Sequence, residues 1–153
     1  MREEEQLAHD VHVTPADEWD PPVFTRTAVS ERRHVDRFAA QLDRSGIEDP
    51  MVGRPPGTST IPAMQQSFDE LVAEGRRSPV GALEVGASIE EMDIVDLHSR
   101  SGDVADTQRL DTRLEQGSHR HLRAFVRQLD AFGVGYGLSR LDVVADATVM
   151  SDG

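Results

Sequence analysis

Twice in this chain a carboxylate stands in the middle of an apolar helical stripe, and few folds accommodate that. Between Pro22 and Arg44, the residues Phe24, Ala28, Val35, Phe38 and Leu42 recur at helical spacing, and Glu31 fills the missing step between Ala28 and Val35. His34 follows three residues later, so the two polar side chains project from one face of the helix. Between Pro79 and Ser99 the stripe is Leu83, Ala87, Ile94 and Leu97, with Glu90 between Ala87 and Ile94 and Asp93 one turn further on. An unpaired buried carboxylate costs several kcal/mol, so both seams require partners, either arginines across the fold or a metal.

Two other segments offer such partners. Leu114, Ser118, His121, Phe125 and then Leu129 or Phe132 trace the seam of a last long helix, which brings His121 inward and leaves His119 facing away as a surface residue. Ser118 occupies the position where a second Glu-x-x-His would carry its acid. In Glu3-Glu4-Glu5-Gln6-Leu7-Ala8-His9-Asp10-Val11-His12, the residues Glu5, Ala8 and His12 share one face, and Glu4, Leu7 and Val11 share the next. Either Glu4 or Glu5 can point inward; Glu5 is favoured because Ala8, one turn on, leaves room beside it. Three acids in a first turn also suit the helix dipole without any metal, which accounts for Glu3. Glu-x-x-His on an inward face is the ligand unit of two-metal carboxylate bundles. The candidate metal ligands are therefore Glu5, Glu31, His34, Glu90, Asp93 and His121. His12 is a further polar residue that can approach them.

The segments Arg2-Glu3-Glu4-Glu5-Gln6-Leu7-Ala8, Ser30-Glu31-Arg32-Arg33-His34, Ile89-Glu90-Glu91-Met92-Asp93-Ile94 and Gly117-Ser118-His119-Arg120-His121-Leu122-Arg123-Ala124-Phe125 together resemble the ferritin-like domain of unknown function 2202. This is a bacterial and archaeal family related to rubrerythrins. With Val85-Gly86-Ala87 and Gly46-Ile47-Glu48-Asp49-Pro50, the likeness covers roughly residues 2 to 136. It implies an all-α fold, a ferritin-like four-helix bundle with a long crossover carrying an extra short helix, over residues 1–137; beyond the glycines at 133–137, residues 138–153 read as a poorly ordered tail. It also implies a two-metal site. On this likeness the first-helix glutamate of rubrerythrins corresponds to Glu5, their Glu-x-x-His to Glu31 and His34, their third-helix acids to Glu90 and Asp93, and their last histidine to His121. The chain departs from the family's pattern at Val13-Thr14-Pro15, where helix would normally continue. Proline is tolerated in a first helical turn and not in an interior, so the first helix is expected to stop near Val13 or kink, with Thr14 capping a new turn.

The remaining boundaries follow from local chemistry. Pro21-Pro22 opens a helix that runs to about Arg44 and ends at Gly46, and 54–61 is a proline- and glycine-rich loop that must cross the fold. Pro62 to Glu74 is an amphipathic helix stopped by Gly75, and Ser78-Pro79 supplies a cap and first position for the next. A last helix is expected from about Val104, bent at Gly117, to near Gly133.

Composition narrows the function. The chain has 153 residues, enough for one core. With no cysteine, it excludes disulfides, iron–sulfur clusters and rubredoxin-type centres, so electrons would come from an external donor. A formal net charge of -12 argues against nucleic acid as a partner. No run spans a bilayer and no secretory signal is read, so no membrane partner and a cytoplasmic location are expected; an exported form would need an earlier start. Bundles of this kind often form homodimers, and no face is marked for pairing.

Four carboxylates balance two divalent ions, and hard oxygens with imidazoles suit iron(II) or manganese(II). The expected cofactor is two iron ions, with manganese an option in one or both positions. The expected activity is oxidoreduction, with oxygen or peroxide as the reacting partner. Glu31 and Glu90 (or Asp93) would bridge and Glu5 would be a terminal ligand. The competing expectation is a non-catalytic helical bundle, metal-stabilised or metal-free, acting as an interaction or storage module.

Overall fold

A computed structural model describes residues 2–19, 22–100 and 105–138. Among these residues the fold is all-helical, without strands. Its five helices are α1 (Arg2–Trp19), α2 (Pro22–Arg44), α3 (Pro62–Gly75), α4 (Pro79–Arg100) and α5 (Ala105–Ala131). The chain divides into two compact units, Met1–Ala82 and Leu83–Gly153, with the division inside α4.

In the first unit, α1 packs against α2 and α3. Glu5 meets His34 near one end of the α1–α2 pair and His12 meets Phe24 near the other, so the two helices run antiparallel. The face foreseen for α1 is buried: Glu5, Ala8 and His12, with Leu7 and Val11 beside them. In α2 the buried residues are Val23, Phe24, Thr27, Ala28, Glu31, His34 and Val35, while Phe38 and Leu42 are only half-buried. Helix α2 closes where expected. Gly46 turns left-handed at φ 66°, its N–H bonding Asp43 O at 3.0 Å and that of Ile47 bonding Leu42 O at 2.9 Å.

The first helix does not stop at Val13. It runs unbroken through Pro15 to Trp19, although proline has no N–H for the Val11 carbonyl. The compensation is tertiary. Pro15 is buried, its ring near Gly75 of α3, and the Trp19 indole N–H donates to Gly75 O at 3.0 Å. Thr14 Oγ1 donates back to Asp10 O at 3.1 Å rather than capping a new turn. Gly75 also differs from expectation: it is the last helical residue, with the cap at Arg76.

The 47–61 connection is tied to α1 by buried acids. Glu3 accepts from Ser59 Oγ at 2.6 Å, from Thr60 N at 2.7 Å and from the Thr60 hydroxyl. Asp10 Oδ2 accepts from Gly57 N at 2.6 Å, and Arg2 reaches Asp49 at 3.1 Å. Burial opposes ionisation of Glu3, but the bonds from Ser59 and Thr60 and the charge of Arg54 outweigh it and lower its pKa.

In the second unit, α4 and α5 form an antiparallel hairpin: His98 meets Glu115, Glu90 meets His121, and Gly86 meets Phe125. The approach at Gly86 is close. A Cβ there would lie 2.6 Å from a Phe125 ring carbon, so only glycine fits. Leu83, Ala87, Ile94 and Leu97 are essentially fully buried, as are Leu114, Phe125 and Leu129, while Phe132 is exposed. The seam of α5 thus takes Leu129 rather than Phe132. Helix α5 continues through Gly117 and ends in a left-handed Gly133 (φ 74°). The expected turn at 101–103 and start at Val104 lie outside the described residues, as does the tail from 139 onward. Ser78 Oγ caps α4 by accepting from Gly81 N at 2.9 Å.

Candidate metal centre

Each unit buries an acid–histidine group. In the first, Glu5 from α1 and Glu31 and His34 from α2 present ligand atoms that all lie within 4.8 Å of one another. His34 Nδ1 lies 2.9 Å from Glu31 Oε2 and 3.4 Å from Glu5 Oε2. The residues are nearly inaccessible, at 2% for Glu5, 0% for Glu31 and 4% for His34. The helix explains the arrangement: Glu31 and His34 are three apart on α2, and the antiparallel α1 brings Glu5 opposite them.

The electrostatics of this group are those of a site short of positive charge. Burial pushes the Glu5 carboxyl up to about 7, opposed by its bond with His34 and reinforced by the neighbouring charge of Glu31. Burial alone would lower the His34 imidazole. Its bonds to Glu31 and Glu5, and their charges, outweigh that and raise it to about 9. Glu5 Oε2 makes no well-directed hydrogen bond among the described residues. One imidazolium cannot neutralise two buried carboxylates, so the group retains a proton or takes a cation.

In the second unit Glu90 from α4, fully buried, has Oε2 3.3 Å from Nδ1 of His121 on α5. Asp93, one turn along α4, is 9% exposed. The His121 side chain is 13% exposed. The structure buries Glu5, Glu31, His34, Glu90 and Asp93 and leaves His121 half-buried, and it brings Glu5 together with Glu31 and His34, and Glu90 with His121. Of the Glu4–Glu5 alternatives, Glu5 is buried and Glu4 only half-buried.

Two residues were missed. Glu91 is fully buried, and Tyr136, in the segment after α5, donates its hydroxyl to Glu91 Oε2 at 3.0 Å. The apolar stripe of α4 carries no signal for Glu91, which lies on the stripe's flank, on the side away from the second apolar row of Val85 and Ile89. His12 is also fully buried, with its ring centroid 6.4 Å from that of Phe24. His119 is less exposed than expected, its side chain at 22% beside Glu115.

Comparison with known proteins agrees with this architecture. A curated relative, the uncharacterized protein MJ0754 of Methanocaldococcus jannaschii, is 38% identical over 138 residues, covering 89% of this chain and 75% of the relative. The crystal structure of hypothetical protein MJ0754 superposes with a TM-score of 0.94 at 35% identity, over 100% of this chain and 89% of that one. The family model described as an uncharacterized protein domain, DUF2202, matches residues 1–150, and the chain belongs to that family.

Proposed function

We propose that this protein is a ferritin-like four-helix bundle holding two metal ions, and that it oxidises iron(II) with oxygen or reduces peroxide. The observation that carries the reading is the buried triad of Glu5, Glu31 and His34, whose donor atoms lie within 4.8 Å of one another. Buried carboxylates cluster in this way around a cation or with a retained proton. The second acid–histidine pair, Glu90 with His121, repeats the chemistry in the α4–α5 hairpin. Two antiparallel hairpins, each with inward acids and a histidine, are the parts from which two-metal carboxylate bundles are built.

The residues fit such a cofactor. Glu5, Glu31, Glu90 and Asp93 supply four negative charges, which balance two divalent ions, and His34 and His121 supply one imidazole each. Oxygen-rich donors with imidazole suit iron(II) and manganese(II) over softer ions. Glu31 and Glu90 (or Asp93) are the bridging candidates, and Glu5 is a terminal one. Iron bound there would supply electrons to oxygen or peroxide, and an external donor would restore them. The protein's own part is to keep water out, since all three groups of the triad are inaccessible, and to hold His34 in place through Glu31 Oε2 at 2.9 Å.

Protein grown with iron should contain about two iron ions per chain, as the two-metal reading requires. Anaerobic loading with iron(II) followed by oxygen should produce the near-ultraviolet absorbance of paired ferric ions, and Glu31→Ala and His121→Ala should lose it. A well-folded protein that takes up no iron, or variants that give the wild-type signal, would overturn the proposal.

A further inference from the structure

We propose that the outward face of α2 is a docking stripe for an acidic electron-carrier protein, formed by Arg26, Arg33, Arg37 and Arg44. The intervals are seven, four and seven residues, and the eighteen residues from Arg26 to Arg44 make five helical turns. The four side chains therefore start from one line along the helix, about 27 Å long. All four residues are exposed. No acid interrupts the line: Val29, Ser30, Ala40 and Gln41 fill its gaps, and the exposed acids Asp36 and Asp43 lie on its flank.

The stripe has no internal use. Arg26, Arg33 and Arg37 make no ion pair or side-chain hydrogen bond among the described residues, and Arg44 donates to Gln41 Oε1 at 2.6 Å. By contrast, Arg2, Arg32, Arg76 and Arg77 each lie within 3.7 Å of a carboxylate oxygen. Like charges one turn apart, as on Arg33 and Arg37, weaken a helix, so stability does not explain the line. The chain carries 28 acids against 16 basic residues, yet charges more than about 8 Å apart are largely screened at physiological salt. A partner close to α2 thus meets the arginines rather than the net charge.

The make-up of the stripe selects its occupant. It holds no aromatic residue on which bases could stack and no Trp, Phe or Leu to enter a lipid surface; its one large exposed apolar residue is Val29. Symmetric pairing with α2 of a second copy would set arginine against arginine. What remains is an acidic patch on another protein. Without an apolar core the contact is small and steered by charge, which is the character of transient redox encounters. Resting on the metal centre proposed above, the partner is the external donor that a chain without cysteine requires. Glu31 and His34 are buried on the same helix, so a docked carrier is separated from them by about one helix diameter, 10–12 Å. Two reduced one-electron carriers would be oxidised for each iron pair returned to iron(II).

The test measures binding and electron delivery separately, with a plant-type ferredoxin as the acidic carrier. Calorimetric titration should show the full-length protein binding ferredoxin, with affinity that falls as salt rises. Arg33→Glu with Arg37→Glu should weaken it by about tenfold or more, and the milder Arg26→Gln with Arg37→Gln should weaken it less. Arg76→Glu with Arg77→Glu, on ion-paired arginines elsewhere, should leave it unchanged. In iron-loaded protein, stopped-flow reduction by reduced ferredoxin should slow in the same two stripe variants. A shorter line of exposed arginines on α5, Arg113, Arg120 and Arg127, provides the comparison. Unchanged affinity in both stripe variants, or at least as large a loss in Arg113→Glu with Arg120→Glu, would overturn the stripe. Tighter binding of duplex DNA or of anionic phospholipid vesicles through the same arginines would overturn the choice of partner. Ferredoxin binding that depends on Arg33 and Arg37 in a protein that takes up no iron would sink the metal reading and uphold the docking surface.

Discussion

Metal binding at Glu5, Glu31 and His34 must expel protons, and the amount follows from the site. With the Glu5 carboxyl at about 7 and the His34 imidazole at about 9, metal-free protein should hold about 1.9 protons on these residues at pH 6 and about 1.0 at pH 8. A cation displaces them, so its apparent affinity should rise by about three powers of ten between pH 6 and pH 8. The same residues at their ordinary solution values of 4.5 and 6.5 would give only about a fourfold rise. Manganese(II) is a suitable probe because it is stable in air, and competition with a chromophoric chelator at pH 6, 7 and 8 measures the affinity. Calorimetry in two buffers of different ionisation enthalpy counts the protons directly. A rise of less than about tenfold would refute the argument, because it would mean that the triad is not buried with its carboxylates together or does not hold the ion. The metal-free protein should show the complementary trend. Both folded-state values lie above the unfolded ones, so the stabilisation from Glu5 is complete below pH 4.5 and that from His34 below pH 6.5. These contributions are lost as pH rises through about 7 and about 9 respectively. Melting temperature without metal should therefore fall from pH 6 to pH 9, and bound manganese should reverse the fall.

Other consequences are structural. Gly86→Ala would place a Cβ 2.6–2.9 Å from three carbons of the fully buried Phe125 ring, against a comfortable separation of about 3.5–4.0 Å. Overpacking of about 1–3 kcal/mol should exceed the helix-propensity gain of about 1 kcal/mol, and a rise in the urea midpoint would show that α4 and α5 do not approach this closely. Glu3→Gln should flatten the loss of stability on acidification: the lowered Glu3 carboxyl stabilises the fold above pH 4.5 and stops doing so as pH falls through its folded value. Melting curves at pH 5 and pH 3 that drop equally in wild type and variant would contradict that account. Ser78→Ala removes the hydroxyl that caps α4 and should cost about 1 kcal/mol, measured by chemical denaturation; no change would mean that the cap is replaced by solvent.

The seams were legible because burial in a helix is periodic and the acids break the period. Glu31 and Glu90 announce themselves through what surrounds them, Ala28 with Val35 and Ala87 with Ile94, and all of these are buried in the fold. Helix ends were legible where glycine must turn left-handed, at Gly46 and Gly133, or where Ser78 caps. Glu91 was not legible, because a stripe identifies the centre of a buried face and leaves its width open. That width is set by the neighbouring helix and by the segment carrying Tyr136, which lies 45 residues away in sequence.

Pro15 shows where local reasoning fails. By propensity a proline at that position ends the helix, at a cost of about 3 kcal/mol if it does not. The fold carries α1 onward because three contacts distant in sequence, or out of local register, act on the same turn. The Pro15 ring packs near Gly75, Trp19 donates to the Gly75 carbonyl, and Thr14 turns its hydroxyl back to Asp10 O. Asp10 in turn holds Gly57 of the crossover loop through its other end. The same helix thus presents Glu5 to Glu31 and His34 at its start and anchors α3 and the loop along its length. A helix stopping at Val13 would keep Glu5 but lose the Trp19–Gly75 contact that joins it to α3. Continuity of α1 therefore belongs to the site's support: α3 and the crossover fix the helix from outside, so that a carboxylate near its first turn, where fraying is ordinarily greatest, stays in register with the two donors of α2.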